Sequence, residues 1–171
     1  MSFFDLISSR HSIRAFQDKK LSEDTIEKIA NAATRAASAG NLQSYQIFIV
    51  TKKDDKSKLA DAAHGQDFID NASVVFVFCA DVDASAQDYG KRGQELYCIQ
   101  DATIACTYAQ LAAHALGLAS VWVGSFDESK VAGILGLEPS LRPIAMLVMG
   151  FAAEQPEITP RKPLDEIIHK M

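Results

Sequence analysis

Apolar residues recur along this chain in three rhythms, each predicting a different element. From Ser22 to about Ala36 they fall at helical spacing, at Ile26, Ile29, Ala30 and Ala33. The Ser22-Glu23-Asp24 start adds a capping hydroxyl and two acids where the helix dipole favours them. Gln46 to Thr51 is short and rich in β-branched and aromatic residues, which predicts a strand. Ser73 to Ala80 is apolar without alternation, the pattern of a central strand covered on both faces.

The remaining segments fill in around these. Phe3 to Ser9 is a short amphipathic stretch, and Asp54 to Ala63 has helical patterning. A polar stretch follows Ala80. Then Glu95 to Leu116 reads as a long helix, apolar or small on most faces, closed by Gly117. A helix of that composition is buried, within the domain or against a partner. Strands at Ser120 to Gly124 and Ile144 to Gly150 flank a short helix from Glu128 to Leu135. The tail, Pro156 to Met171, is polar with an apolar hook at Leu164, Ile167 and Ile168, suited to packing on another surface. Helices first, then strands interleaved with helices, predict an α+β fold in three layers about a central sheet. No linker or repeat interrupts the pattern, so residues 1–171 are expected to form one domain.

Composition narrows the function classes. With 171 residues, 48% hydrophobic and 23% charged, the chain suits one soluble domain with a sizeable core. Lys plus Arg number 17 against 22 Asp plus Glu, a net charge of -5, the opposite of what a nucleic-acid groove requires. The longest apolar run, around Val74 to Ala80, falls far short of the roughly 20 residues needed to span a bilayer. Asp5 interrupts the N-terminus before an apolar signal core can form, so a cytoplasmic protein without membrane or nucleic-acid partners is expected. Cys79 sits in the strand-like run, and Cys98 and Cys106 share one side of the long helix. With an odd number and no C-x-x-C spacing, all three read as buried free thiols rather than metal ligands.

Three segments carry candidate chemistry. Dinucleotide fingerprints, phosphate loops and nucleophile elbows are absent from the sequence. Ser9-Arg10-His11-Ser12-Ile13-Arg14 combines cationic and hydroxyl donors suited to phosphate. The plain reading of that segment, taken alone, is a solvated basic turn capping a helix. Arg161-Lys162 is held extended between Pro160 and Pro163, a second basic pair far along the chain. The loop Ser38-Ala39-Gly40-Asn41-Leu42-Gln43 offers small residues for close backbone approach and two carboxamides for a heterocycle edge. Its plain reading is a helix-to-strand turn.

Taken together, RHSIRAF at Arg10 to Phe16, SAGNLQ at Ser38 to Gln43, WVGSFD at Trp122 to Asp127 and PRKPLDEII at Pro160 to Ile168 resemble the nitroreductase family of FMN-dependent oxidoreductases. The resemblance runs through essentially the whole chain. It implies a three-layer α+β sandwich with a mixed, mainly antiparallel sheet, and an intertwined homodimer with FMN at the interface. By resemblance, Arg10 and Ser12 hold the FMN phosphate with His11 beside them, and Arg14 reaches the flavin N1/O2 edge. Arg161 and Lys162 match a C-terminal phosphate clamp. Ser38 and Asn41 match the loop that the partner subunit lends to the flavin, and Gln66 matches a further flavin contact. Gly124 matches the position whose backbone N–H faces flavin N5, with Ser125 in the same turn. No side chain is assigned as acid, base or nucleophile, because the flavin carries the chemistry.

The chain departs from the family pattern in three places. Ala37 and Ser44 stand where many members have proline, and Tyr45 where tryptophan is common, which predicts a less rigid loop. The short chain leaves little room for a helical insertion over the substrate side, so an open pocket is expected. The resemblance implies electron transfer from NADH or NADPH through FMN to a small acceptor such as a nitroaromatic or quinone, in alternating half-reactions. Other outcomes on the same scaffold are a dehalogenase, dehydrogenase or flavin-destroying relative, or a flavin-binding protein without turnover.

Overall fold

The computed structural model describes residues 2–156 and 158–171. Along the chain lie α1 (Phe3–Ser9), α2 (Glu23–Ala33), β1 (Tyr45–Val50), α3 (Lys53–Ala62), α4 (Phe68–Asn71), β2 (Val74–Asp81) and α5 (Val82–Arg92). They are followed by α6 (Cys98–Ala115), β3 (Ala119–Val123), α7 (Glu128–Leu135) and β4 (Leu141–Gly150). The strands form one four-stranded sheet in the order β1-β2-β4-β3. Every ladder in it is antiparallel, and the parallel component of the expected mixed sheet is a single bridge between Ser12 and Ser120.

Unbroken hydrophobicity puts β2 in the middle, where both faces are covered. Val75, Val77 and Cys79 point into a core shared with Leu59, Ile69 and Val131 of α3, α4 and α7. Val74, Phe76 and Phe78 point the other way, against Ile26, Ile29, Ala105 and Ala109 of α2 and α6. These are the three layers. The small side chains of α6 let an 18-residue helix lie close on the sheet, while its opposite side leaves Ile104 and Tyr108 exposed. The expected burial of this helix is therefore met on one side only within a single chain.

Several boundaries differ from the sequence pattern for identifiable reasons. The polar stretch after Ala80 is helix α5, because Asp81 ends β2 and caps the next turn, its Oδ1 accepting from the Ala84 N–H at 3.0 Å. With few apolar positions, that helix left no amphipathic signature. Gly90, at φ +53°, breaks its regular path. One π-helical turn, Gly93–Tyr97, then leads into α6, so the long helix begins later than Glu95. Gly93 packs directly on the Ser85 carbonyl, leaving no space for a Cβ. Strand β4 begins at Leu141, ahead of Ile144, and includes Pro143 beside a bulge at Phe78/Cys79. Pairing with β3 reaches only Met146, so Pro143 lies where a missing N–H breaks no second ladder.

Other expectations hold closely. Ser22 caps α2 by accepting from the Thr25 N–H, although the helix ends at Ala33, where the bonds of Arg35 and Ala36 tighten to i−3 carbonyls. All three cysteines are buried and free, and burial pushes the Cys79 thiol up to about 12 and that of Cys106 well above its ordinary value. No helix among the described residues is long and apolar enough to cross a membrane.

Since both faces of β2 are sealed, Phe76→Ala should leave a cavity that neither layer can collapse into. Its cost is expected to be about 3–5 kcal/mol, read from urea unfolding. A loss below about 1 kcal/mol would show that the α2–α6 layer does not close over this strand.

Candidate functional site

The basic segment after α1 is an extended thread sewn to β3 and to the chain just past the end of β4. Ile13 N–H donates to the Ser120 carbonyl at 3.1 Å, and Gln17 N–H to the Phe151 carbonyl at 2.9 Å. Ala153 N–H returns a bond to the Ala15 carbonyl at 2.9 Å. Glu154, which no local signal marked, clamps the turn by accepting from the N–H groups of Arg14 and Ala15 at 2.6 and 3.1 Å. Ile13 and Phe16 are buried in the core, and that anchoring leaves Ser12 and Arg14 on the exposed side. The arginine side chain is thus presented by a fixed backbone.

Two turns meet this thread. Helix α3 ends with His64 and Gly65 both at positive φ, their N–H groups bonded to the carbonyls of Asp61 and Ala60. This reversal sends Gln66 across to the β3–α7 turn, where its Nε2 donates to the Ser125 carbonyl at 3.3 Å and to Ala63 at 2.9 Å. Asp127 N–H donates to the Ala62 carbonyl at 2.9 Å and ties the same two turns together. Arg14 and Gln66 line one recess of about 490 Å³ with Gly65, Asp67, Phe68 and Asn71. Gly124 is exposed, and only the Trp122 indole stands within 4 Å of where a Cβ would lie. Arg14, Gln66 and Ser125, distant in sequence, therefore converge, with Gly124 at the shared turn.

A second basic group belongs to the same thread. Ser9 Oγ lies 2.9 Å from His114 Nε2, on the last turn of α6. Burial lowers the His114 pKa first, and the positive neighbours Arg10 and His11 lower it further. Arg10, His11 and the His114 imidazole thus lie close together at the start of the thread. His114 was hidden in the sequence by the apolar helix around it.

The Ser38–Gln43 loop sits elsewhere on the chain, against α5 and α6. It is a single 3₁₀ turn, Ala39–Asn41, with Gly40, Asn41 and Gln43 all at positive φ. Asn41 N–H donates to the Ser38 carbonyl and Gln43 N–H to Ser38 Oγ, both at 3.0 Å. Hydrogen bonds thus shape the loop where flanking prolines were missing. Tail residues 160–171 are exposed throughout. Among the described residues, no hydrogen bond or ion pair joins Arg161 or Lys162 to the Arg10–Arg14 thread. Within one chain the structure brings Arg14 to Gln66 and Gln66 to the Gly124–Ser125 turn, sets Ser12 on β3 and places Arg10 and His11 by His114, while Ser38, Asn41, Arg161 and Lys162 lie apart from these groups.

Because His114 is held below its ordinary value near 6.5, the unfolded chain takes up this proton before the folded one does. Stability should therefore fall as pH drops below about 6.5, and His114→Gln should flatten that part of the profile. Urea midpoints of both proteins at pH 7.5 and 5.5 provide the check. Equal slopes would remove His114 from the account.

Comparison with known proteins agrees with this geometry. A model of the nitroreductase family matches residues 7–66 and 62–151. The FMN reductase [NAD(P)H] of Bacillus subtilis is 29% identical over 177 residues, covering 96% of this chain and 71% of its own. An NADH dehydrogenase from Thermus thermophilus is 30% identical over 186 residues, covering 93% of this chain and 91% of its own. Among solved structures, the NADPH:FMN oxidoreductase from Vibrio harveyi complexed with NAD+ superposes with a TM-score of 0.90 at 26% identity, covering 98% of this chain and 76% of its own. With the family model spanning most of the sheet, the thread and both turns, the chain belongs to the nitroreductase family.

Proposed function

We propose that this protein is an FMN-dependent NAD(P)H oxidoreductase that acts as a homodimer and passes electrons to a small acceptor such as a nitroaromatic or quinone. The convergence of Arg14, Gln66 and the Gly124–Ser125 turn on one side of the sheet carries the reading. The donor set fits FMN in kind: clustered cations for a phosphate, a carboxamide and a guanidinium for a pyrimidine edge, and a glycine without side-chain bulk for a flat ring. The named activities of the Bacillus subtilis and Vibrio harveyi relatives support the same cofactor and the same donors.

When bound, FMN supplies the two-electron chemistry between nicotinamide and acceptor. The chain's own residues prepare its place. Arg10, aided by Arg161 and Lys162, would neutralise the phosphate, Ser12 would donate a hydrogen bond to it, and His11 would lie beside them. Arg14 fixes a positive charge where reduction of a flavin leaves negative charge at N1/O2, which favours the reduced form. Gly124 would offer its backbone N–H to the flavin, and Gln66 steadies that turn through the Ser125 carbonyl. Donor and acceptor would use one flavin face in turn, in alternating half-reactions.

A second copy of the chain completes this site. Phe3, Phe4 and Ile7 of α1, Ile104 and Tyr108 of α6, and Leu164, Ile167 and Ile168 of the tail are all exposed. Covering them with another copy also accounts for a basic tail pair and a Ser38–Asn41 loop that do not reach the thread of their own chain.

Purified protein should be yellow, bleach anaerobically with NADH or NADPH, and recolour when a quinone or nitroaromatic is added. A colourless protein that takes up no added FMN would refute the reading. Arg14→Ala removes an exposed side chain whose backbone stays clamped by Glu154, so its stability should lie within about 0.5 kcal/mol of the parent. Flavin reduction should slow tenfold or more, equivalent to about 1.4 kcal/mol. Unchanged reduction kinetics would contradict the role given to Arg14.

A further inference from the structure

One acid interrupts the buried stripe of α6. Among Cys98, Ala102, Ala105, Cys106 and Ala109, Asp101 is only 2% exposed. Its Oδ1 accepts from the Ala39 N–H at 2.9 Å, across 62 residues of chain. Oδ2 is buried without a partner among the described residues, and no ion pair reaches the carboxyl. Burying a carboxyl with an idle oxygen is unfavourable compared with an apolar residue of similar size. Sheet packing alone gives no reason for it.

The reason lies in the loop. Gly40, Asn41 and Gln43 have φ of 55°, 58° and 52°, and for the two non-glycines this left-handed backbone is disfavoured. Such a conformation persists only when its surroundings over-determine it. Bonds inside the loop give it a shape, but they do not attach it to the body. The Tyr89 hydroxyl lies against Gly40 as a wall, in contact where a Cβ would stand. Among the described residues, the loop's last carbonyl, Gln43, accepts from the Tyr45 N–H of the adjoining β1 at 2.7 Å, and the Asp101–Ala39 bond is the one hydrogen bond that ties residues 38–43 to an element distant in sequence.

We propose that Asp101 is a positioning residue that holds the Ser38–Gln43 loop in the strained conformation in which it serves the flavin, through its bond to the Ala39 amide. This rests on the FMN reading above. Asp101 itself touches no cofactor. It acts through the loop, so FMN affinity should follow the presence of an acceptor at this position rather than its charge.

Asp101→Ala and Asp101→Asn separate those two properties, since asparagine keeps a carbonyl acceptor for the Ala39 N–H. Dissociation constants for FMN come from quenching of its fluorescence, and hydrogen exchange of the Ala39 amide is followed in FMN-free protein. Asp101→Ala is expected to weaken FMN binding at least tenfold and to speed Ala39 exchange at least tenfold. Asp101→Asn should remain within about threefold of the parent in both. An alanine variant that binds FMN as the parent does would overturn the role of Asp101, and so would an asparagine variant as weak as alanine. Should Asp101→Ala fail to fold, the parent alone still decides, because an Ala39 amide that exchanges at the free-loop rate would overturn the tie. A parent that takes up no FMN, yet protects Ala39, would instead refute the flavin reading.

Discussion

Burial of β2 on both faces is the constraint from which the rest of this structure follows. A strand with no polar side chain from Val74 to Ala80 must be roofed twice, and each roof needs its own helices. Helices α3, α4 and α7 cover one side, and α2 and α6 the other. The connections between these covers then meet at the ends of the sheet. There the end of α3 and the turn after β3 are joined by backbone and carboxamide bonds, and the thread before α2 packs Ile13 and Phe16 into the same core and brings Arg14 to the recess. The recess is a by-product of how two roofs are tied down.

Much of this frame was legible in the residues, and the exceptions are instructive. Ser22 and the acids after it announced α2, and the apolar run announced β2, because both signals are local. Helix α5 escaped notice because its start is marked by one carboxylate, Asp81, that also ends a strand. Pro143 disguised the start of β4, since its lack of an N–H matters only if a second strand is present to need it. The site was legible in another way. Taken singly, the Arg10–Arg14 segment, the Ser38–Gln43 loop and the Trp122–Asp127 turn have ordinary readings, and only their order along the chain pointed to a family. Their convergence is a tertiary fact that no periodicity contains. Glu154, His114 and Asp101 were missed because each acts on backbone or charge contributed from far away. Asp101 alone left a trace, as a lone acid in an apolar helical stripe.

Helix α6 links several of these features. One side packs on β2 and β4, another carries the anchor of the Ser38–Gln43 loop, and its last turn brings His114 to Ser9 and the basic thread. Ile104 and Tyr108 face outward between those two stations. A second copy docking there would press on the element that both anchors the loop and brings His114 to the basic thread, and would so couple assembly to cofactor binding.

The three buried cysteines acquire a meaning beyond packing in a chain of a family that works with reduced flavins. Reduced flavins exposed to oxygen are a source of peroxide, and a thiolate is what peroxide attacks first. Burial pushes the Cys79 thiol up to about 12 and holds that of Cys106 well above its ordinary value, so both are kept from the thiolate form at neutral pH. Its own sulfur is thereby insulated, as a bystander, from the oxidants its proposed chemistry would release.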